Sequence, residues 1–175
     1  NSKTGACLPC ALLNSCEAGS PPIAFSLCTA MLQVERMFPA AVEACRILEA
    51  RGILVTRFTS QLPANFPSFI RHCDYAPFSQ LFPKCAAVVH HGGIGTTSQA
   101  LAAAVPQLIL PMAFDQPDNA ARVKHLGAGE WLRPNAVAPR IAATLGRLLT
   151  PPTHARCREL AARFSSNDPL ETAAN

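Results

Sequence analysis

The sequence predicts an α/β fold: a doubly wound parallel sheet of about six strands with helices on both faces. Three observations predict it. Short apolar runs alternate with segments whose apolar residues recur at helical spacing, the pattern of strand–helix–strand crossovers. The runs are apolar almost throughout, as strands covered on both faces are. One run breaks abruptly into HHGGIGTT, residues 90–97, before an alanine-rich segment, which sets a glycine-rich turn between a strand and a helix.

Each element follows in order. PPIAFSLC (21–28) is an apolar strand opened by prolines, after which Phe38, Val42, Cys45 and Leu48 recur at helical spacing. Pro39 fits only near the start of that helix, and Gly52 is expected to end it. ILVTRF (53–58) is a second buried strand, TSQLPANFPS (59–68) is turn-rich, and FIRHCDY (69–75) is a third, less apolar strand. FSQLFP (78–83) is a short helix, the fourth strand ends at His90, and a helix runs from Thr96. PQLILP (106–111) is the fifth strand, and MAFDQPDN (112–119) leads into a helix over 119–126 that Gly127 caps. GEWL (129–132) is a short sixth strand; Val137, Ile141, Leu145, Leu148 and Leu149 mark an amphipathic helix, and THARCRELAARF (153–164) a last one. No internal repeat or low-complexity segment competes with this pattern.

With 175 residues, 49% of them apolar, the chain buries one sizeable core, so a single domain is expected over 21–165, with a lead-in at 1–20 and a polar tail at 166–175. The first residue is Asn1, which suggests a piece of something longer. No run approaches the about 20 apolar residues needed to span a bilayer, and no leader pattern opens the chain, so a cytoplasmic protein is expected. The cysteines, Cys7, Cys10, Cys16, Cys28, Cys45, Cys73, Cys85 and Cys157, are scattered through apolar segments and read as reduced thiols. Cys7 and Cys10 make one CxxC, but zinc takes four ligands and no second pair follows, so no metal is expected. The net charge of +4 is carried largely by late arginines, among them Arg133, Arg140, Arg147, Arg156, Arg158 and Arg163. They form either a solvated helical face or a surface for an acidic partner or the periphery of an anionic membrane. Without interleaved aromatics they do not point to nucleic acid.

The turn at 90–97 carries the chemistry. Glycine takes positive φ angles and lets a ligand approach the main chain, and the helix that follows offers unpaired N–H groups with a partial positive charge. That combination binds anions, phosphates above all. Thr96 and Thr97 add hydroxyls in the first turn and His91 adds an imidazole. Neighbours on an extended strand face opposite ways, so one of His90 and His91 belongs to the site and the other to packing.

Residues 75–129, YAPFSQLFPKCAAVVHHGGIGTTSQALAAAVPQLILPMAFDQPDNAARVKHLGAG, resemble the donor-binding signature of nucleotide-sugar-dependent glycosyltransferases of the GT-B fold, in the branch of bacterial antibiotic and sterol glycosyltransferases. GSPPIAFSLCTAM (19–31) is similar to the first strand and loop of the same Rossmann-like domain. The resemblance implies the C-terminal half of such an enzyme, binding a UDP- or dTDP-linked sugar as donor substrate without a further cofactor. It implies that His91, Gly93, Gly95, Thr96 and Thr29 hold the diphosphate. Tyr75, Ala76 and Phe78 would lie at the nucleobase, Gln99 at the ribose, and Asp115 and Gln116 at the sugar hydroxyls. It selects His91 over His90 as the site residue, and places the catalytic base and the choice of acceptor on an N-terminal acceptor domain that this chain lacks.

Purely structural roles stand beside these. Tyr75 is equally suited to packing at an interdomain cleft, Gln99 to a helix surface, and Asp115 or Asn119 to capping a helix. The chain departs from the family pattern at Cys28-Thr29 in the first loop and at Phe114. Two other functions compete: a nucleotide-binding module with no activity of its own, and an NAD-dependent reductase. GIGTTS (93–98) approximates the dinucleotide fingerprint, with Asp115 downstream as a ribose-binding acid, but Ser98 replaces the third glycine and the motif follows the fourth strand.

Overall fold

A computed structural model describes residues 8–17, 19–27, 37–62 and 65–166. Six strands form one sheet: β1 (Ile23–Ser26), β2 (Gly52–Val55), β3 (Ile70–Cys73), β4 (Ala87–His90), β5 (Gln107–Ile109) and β6 (Gly129–Trp131). Their order is β3-β2-β1-β4-β5-β6 and every pairing is parallel. The chain winds outward in both directions from β1 and β4, which makes the gap beyond their carboxyl ends the topological switch point. Ser26 pairs with His90 in register, so the two strands end side by side there.

Strand period and helix placement together give the two-sided core. Successive residues point to opposite faces: Ile23, Phe25, Leu54 and Val89 pack on one side, while Ala24, Ile53 and Val88 pack on the other. The first face is covered by α2 (Met37–Ile47) and α6 (Ala138–Leu148), which lie against each other. The second is covered by α1 (Cys10–Glu17), the short α3 (Phe78–Leu81) and part of α4 (Ile94–Ala102). A third cluster joins Leu101, Ile109, Ala120, Val123, Cys157 and Leu160, where α5 (Gln116–His125) and α7 (Pro151–Ser166) close over β5.

Several expectations need correction. The lead-in contributes a helix, α1, whose Leu12 and Cys16 are buried in the core. Gly52 does not end α2. The left-handed backbone after that helix is taken by Glu49 (φ 50), while Gly52 opens β2, where a Cβ would stand 2.7 Å from Ile70 Cδ1 and 2.9 Å from Cys45 Sγ. α4 begins two residues before Thr96, and α5 begins at Gln116. Gly127 does close α5, with φ +73 and its N–H on the Lys124 carbonyl.

The thiols of Cys16, Cys45, Cys73, Cys85 and Cys157 are free. Burial pushes Cys45 up to about 12 and Cys73 and Cys157 up to about 11, which keeps them unreactive. Of the late arginines, Arg156 and Arg163 both pair with Glu159 on α7, and Arg156 also donates to the Leu126 carbonyl at 2.8 Å. Those two therefore belong to a self-paired helical face. No helix among the described residues is long and apolar enough to cross a membrane.

Candidate functional site

β4 ends at His90 and the chain turns through His91, Gly92 and Gly93 before α4 starts. The turn requires glycine at one position above all. Gly92 sits at φ +92, and a Cβ there would stand 2.7 Å from Ile109 Cγ2 and 3.2 Å from the Gln116 carbonyl oxygen. The positive φ expected in this motif thus falls on Gly92, whereas Gly93 is extended (φ −60, ψ 139) and serves as the N-cap of α4. Gly93 is small for a different reason: its Cβ would lie 2.7 Å from His91 Nε2. A Cβ on Gly95 would meet nothing within 4 Å, so the first turn of α4 borders open space. Thr97 is the first residue of the helix whose N–H has a partner, the Gly93 carbonyl; the N–H groups of Ile94, Gly95 and Thr96 have none within the helix.

The two histidines divide as the alternation of a strand requires. His90 is fully buried, and each of its nitrogens is used. Nδ1 accepts the Gly92 N–H at 3.1 Å, so the ring proton lies on Nε2, which donates to Gln107 Oε1 at 2.9 Å. Gln107 Nε2 in turn donates to the Thr97 carbonyl at 3.4 Å. Burial, against the weaker pull of Gln107, brings the His90 pKa down to about 4, so it acts as a neutral strut that fixes the turn. The packing role left to His90 by the alternation is thus the one it takes, with the ring wholly buried. Sequence reading missed its partner, Gln107.

His91 is half-buried, with its ring edge-on to that of His90. Its Nδ1 is the one buried side-chain nitrogen or oxygen without a hydrogen-bond partner among the described residues. Burial lowers its pKa below the ordinary imidazole value, while the Ser26 backbone and the Asp115 carboxylate pull it partly back, without any bond of good geometry to Nδ1. Three N–H groups without a partner in the helix, following this imidazole in the turn, suit a ligand rich in acceptors.

The remaining expected site residues take distinct places. Thr96 is partly exposed in the first turn of α4 and its hydroxyl makes no bond among the described residues. Thr97, expected to offer its hydroxyl as well, donates it to the Gly93 carbonyl at 3.0 Å and is buried. Gln99 is exposed one turn beyond Gly95, with Nε2 on the Gly95 carbonyl at 3.3 Å. Asp115 is exposed, and it does not cap α5 through its side chain. Its carboxylate instead accepts from Asn119 Nδ2 at 2.8 Å. Gln116 is buried, and its Oε1 accepts the Met112 and Ala113 N–H groups at 2.8 and 3.2 Å, so the oxygen is committed to shaping the loop after β5. Phe114, in that loop, has φ 59 and is 89% exposed.

Beyond β3, Tyr75 is exposed with the Arg57 guanidinium 5.6 Å from its ring centroid. Ala76 is buried, and the half-buried Phe78 stacks on Phe82 at 4.4 Å. The short helix that Phe78 opens packs on α4. Thr29 and Cys28 lie outside the described residues.

The profile of the family described as erythromycin biosynthesis protein CIII-like, C-terminal domain, matches residues 49–174. The chain belongs to that family. The chain is 34% identical over 165 residues to the uncharacterised glycosyltransferase ML2348 of Mycobacterium leprae, covering 93% of the chain and 39% of the relative. It is 34% identical over 131 residues to the 10-deoxymethynolide desosaminyltransferase of Streptomyces venezuelae, covering 70% and 31% respectively. The glycosyltransferase VinC, solved in complex with dTDP, superposes with a TM-score of 0.74 at 28% identity, over 92% of the chain and 41% of VinC. The forosaminyltransferase SpnP shares the fold with a TM-score of 0.77 at 24% identity, over 93% and 43%. The chain thus spans well under half the length of these relatives.

Proposed function

We propose that the chain is the donor-binding half of a glycosyltransferase that moves a sugar from a nucleoside-diphosphate carrier to an acceptor hydroxyl. The observation that carries this reading is the turn at the β1/β4 switch point. There the N–H groups of Ile94, Gly95 and Thr96 have no partner within the helix, the first turn borders open space at Gly95, and His91 ends the strand side of the same turn. Family membership and the dTDP held by VinC favour a thymidine or uridine diphosphate as the carrier. The domain itself is assigned to 21–165 with the helix before it, and extends to Ser166 at the end of α7. The acceptor and the base that deprotonates it are assigned to an N-terminal domain outside this chain. Free, buried thiols support a reducing, cytoplasmic setting.

In the reaction the acceptor oxygen attacks the anomeric carbon and the bond to the diphosphate oxygen breaks. Negative charge grows on the departing phosphate. N–H groups fixed in the first turn of α4, the Thr96 hydroxyl and His91 would stabilise that charge with little reorganisation, each such donor being worth about 3 kcal/mol. Asp115, an acceptor only, and Gln116 would meet the sugar hydroxyls, with the Gln116 contribution limited to its amide nitrogen because its oxygen is occupied. Tyr75 would lie against the base, and main-chain groups of Ala76 and Phe78 at its edge. Gln99 would meet the ribose.

Calorimetry on the 175-residue chain with dTDP, UDP and NAD tests the reading. The diphosphates are expected to bind and NAD to bind more weakly than either; tighter binding of NAD, or no binding of either diphosphate, contradicts it. The chain alone is expected to transfer no sugar. If the intact protein with its N-terminal half also transfers none, the chain is a nucleotide-binding module.

Gly95→Ala separates cradle from scaffold. The added methyl meets no atom of the fold, and alanine is favoured over glycine in a helix by up to about 1 kcal/mol. The melting temperature is therefore expected to hold or rise while dTDP affinity falls severalfold. Unchanged affinity would mean that the diphosphate does not approach this main chain.

A further inference from the structure

Building on the donor-binding role above, we propose that Asn119 is a positioning residue: one buried carboxamide ties the phosphate-binding turn to the carboxylate assigned to the sugar. Its Nδ2 carries two hydrogens and has two acceptors, the Gly92 carbonyl at 2.9 Å and Asp115 Oδ2 at 2.8 Å. Asp115 and Asn119 stand one turn apart at the start of α5 and so share a face, whereas Gly92 is remote in sequence and belongs to the turn after β4. The expectation that Asn119 caps its helix is replaced by this bridge.

The bridge completes the fixing of an unusual peptide. Gly92 adopts a left-handed backbone, its N–H is held by His90 Nδ1 and its carbonyl by Asn119. Without Asn119 that carbonyl is left without its side-chain donor in a buried setting, and the turn that aims the Ile94, Gly95 and Thr96 N–H groups loses one of its two anchors. On the other side, the Asp115 carboxylate is exposed and would otherwise rotate freely. A charge-assisted bond to Oδ2 orients it and leaves Oδ1 outside that bond on an exposed residue. A nucleotide sugar touches the turn with its diphosphate and Asp115 with its sugar. The Asn119 carboxamide keeps those two contacts in register, so its removal is felt by both parts of the ligand, unlike removal of Asp115.

The test measures affinities for dTDP and dTDP-glucose by calorimetry in the wild type, Asp115→Asn, Asn119→Ala and the double variant. Asp115→Asn is expected to weaken dTDP-glucose about tenfold and to leave dTDP within about twofold, as loss of a hydrogen bond to a charged group would. Asn119→Ala is expected to weaken both, dTDP by at least about threefold. For dTDP-glucose the double variant is expected to lose little beyond Asn119→Ala alone, the non-additivity of a shared contact. A folded Asn119→Ala protein with wild-type dTDP affinity, or full additivity in the double variant, overturns the proposal. A wild type that binds neither ligand overturns the donor-binding role instead.

Asn119→Asp keeps the shape if the alanine variant does not fold. Near neutral pH it sets a second carboxylate against Asp115 and the Gly92 carbonyl, and a proton shared by the carboxylates restores one donor. Asp115 and His91 face the same place and are present in both proteins. The variant's dTDP-glucose affinity relative to wild type is therefore expected to recover as pH falls, and a flat ratio overturns the proposal.

Discussion

Replacing His91 with alanine is expected to lower dTDP affinity about tenfold or more while the melting temperature stays level or rises. In the unliganded protein the ring has a buried Nδ1 without a partner, a state that costs roughly 1–3 kcal/mol, so its removal does not weaken the fold through a lost bond. In the complex a charged hydrogen bond to phosphate is lost. Nucleoside binding is expected to change little, because the imidazole is assigned to the diphosphate. The pH dependence has a definite sign. Burial holds the free ring below the ordinary imidazole pKa and a bound dianion favours its protonated form, so binding takes up a proton and tightens as pH falls. Calorimetry in two buffers of different ionisation heat reads that proton directly, and its disappearance in His91→Ala assigns it.

His90 is expected to report on stability in place of binding. Its pKa is about 4 in the fold and near 6.5 in the unfolded chain, so the unfolded state binds more protons between those values. The stabilisation is fully present above about pH 6.5 and is lost as pH falls toward 4. Two and a half pKa units correspond to about 3 kcal/mol. Urea denaturation across that window checks the sign and the size. His90→Asn, which retains an acceptor for the Gly92 N–H but cannot titrate, is expected to be less stable at pH 7 and flatter between pH 6.5 and 4. Equal slopes in the two proteins would mean that His90 is not the group that titrates.

The alternation of strands and helices and the glycine turn were legible because local pattern decides them. The continuous burial of β1, β2 and β4, alternate residues on opposite faces, needs only apolar residues of the right length. What the pattern does not carry is which glycine is strained. Gly92 is fixed by Ile109 and Gln116, residues far along the chain, and nothing local distinguishes it from Gly93. Glu49 takes a left-handed conformation that propensity assigns to glycine, which moved the end of α2 away from Gly52. A usable signal for the polar network was present. Gln107 opens an apolar strand and is fully buried, as is His90 at the end of another, and a buried polar side chain requires a partner. Pairing the two across β4 and β5 needs the strand register, which only the sheet provides. The same holds for Asn119: its spacing from Asp115 was readable, its bond to Gly92 was not.

Amide chemical-shift mapping of the 15N-labelled chain during titration with dTDP tests the placement of the diphosphate most directly. The largest shifts are expected at Ile94, Gly95 and Thr96, whose N–H groups have no partner within α4, and at Gly93, which caps it, and these shifts should shrink selectively in His91→Ala. Saturable binding that leaves those four amides unmoved and shifts another surface would contradict the assignment.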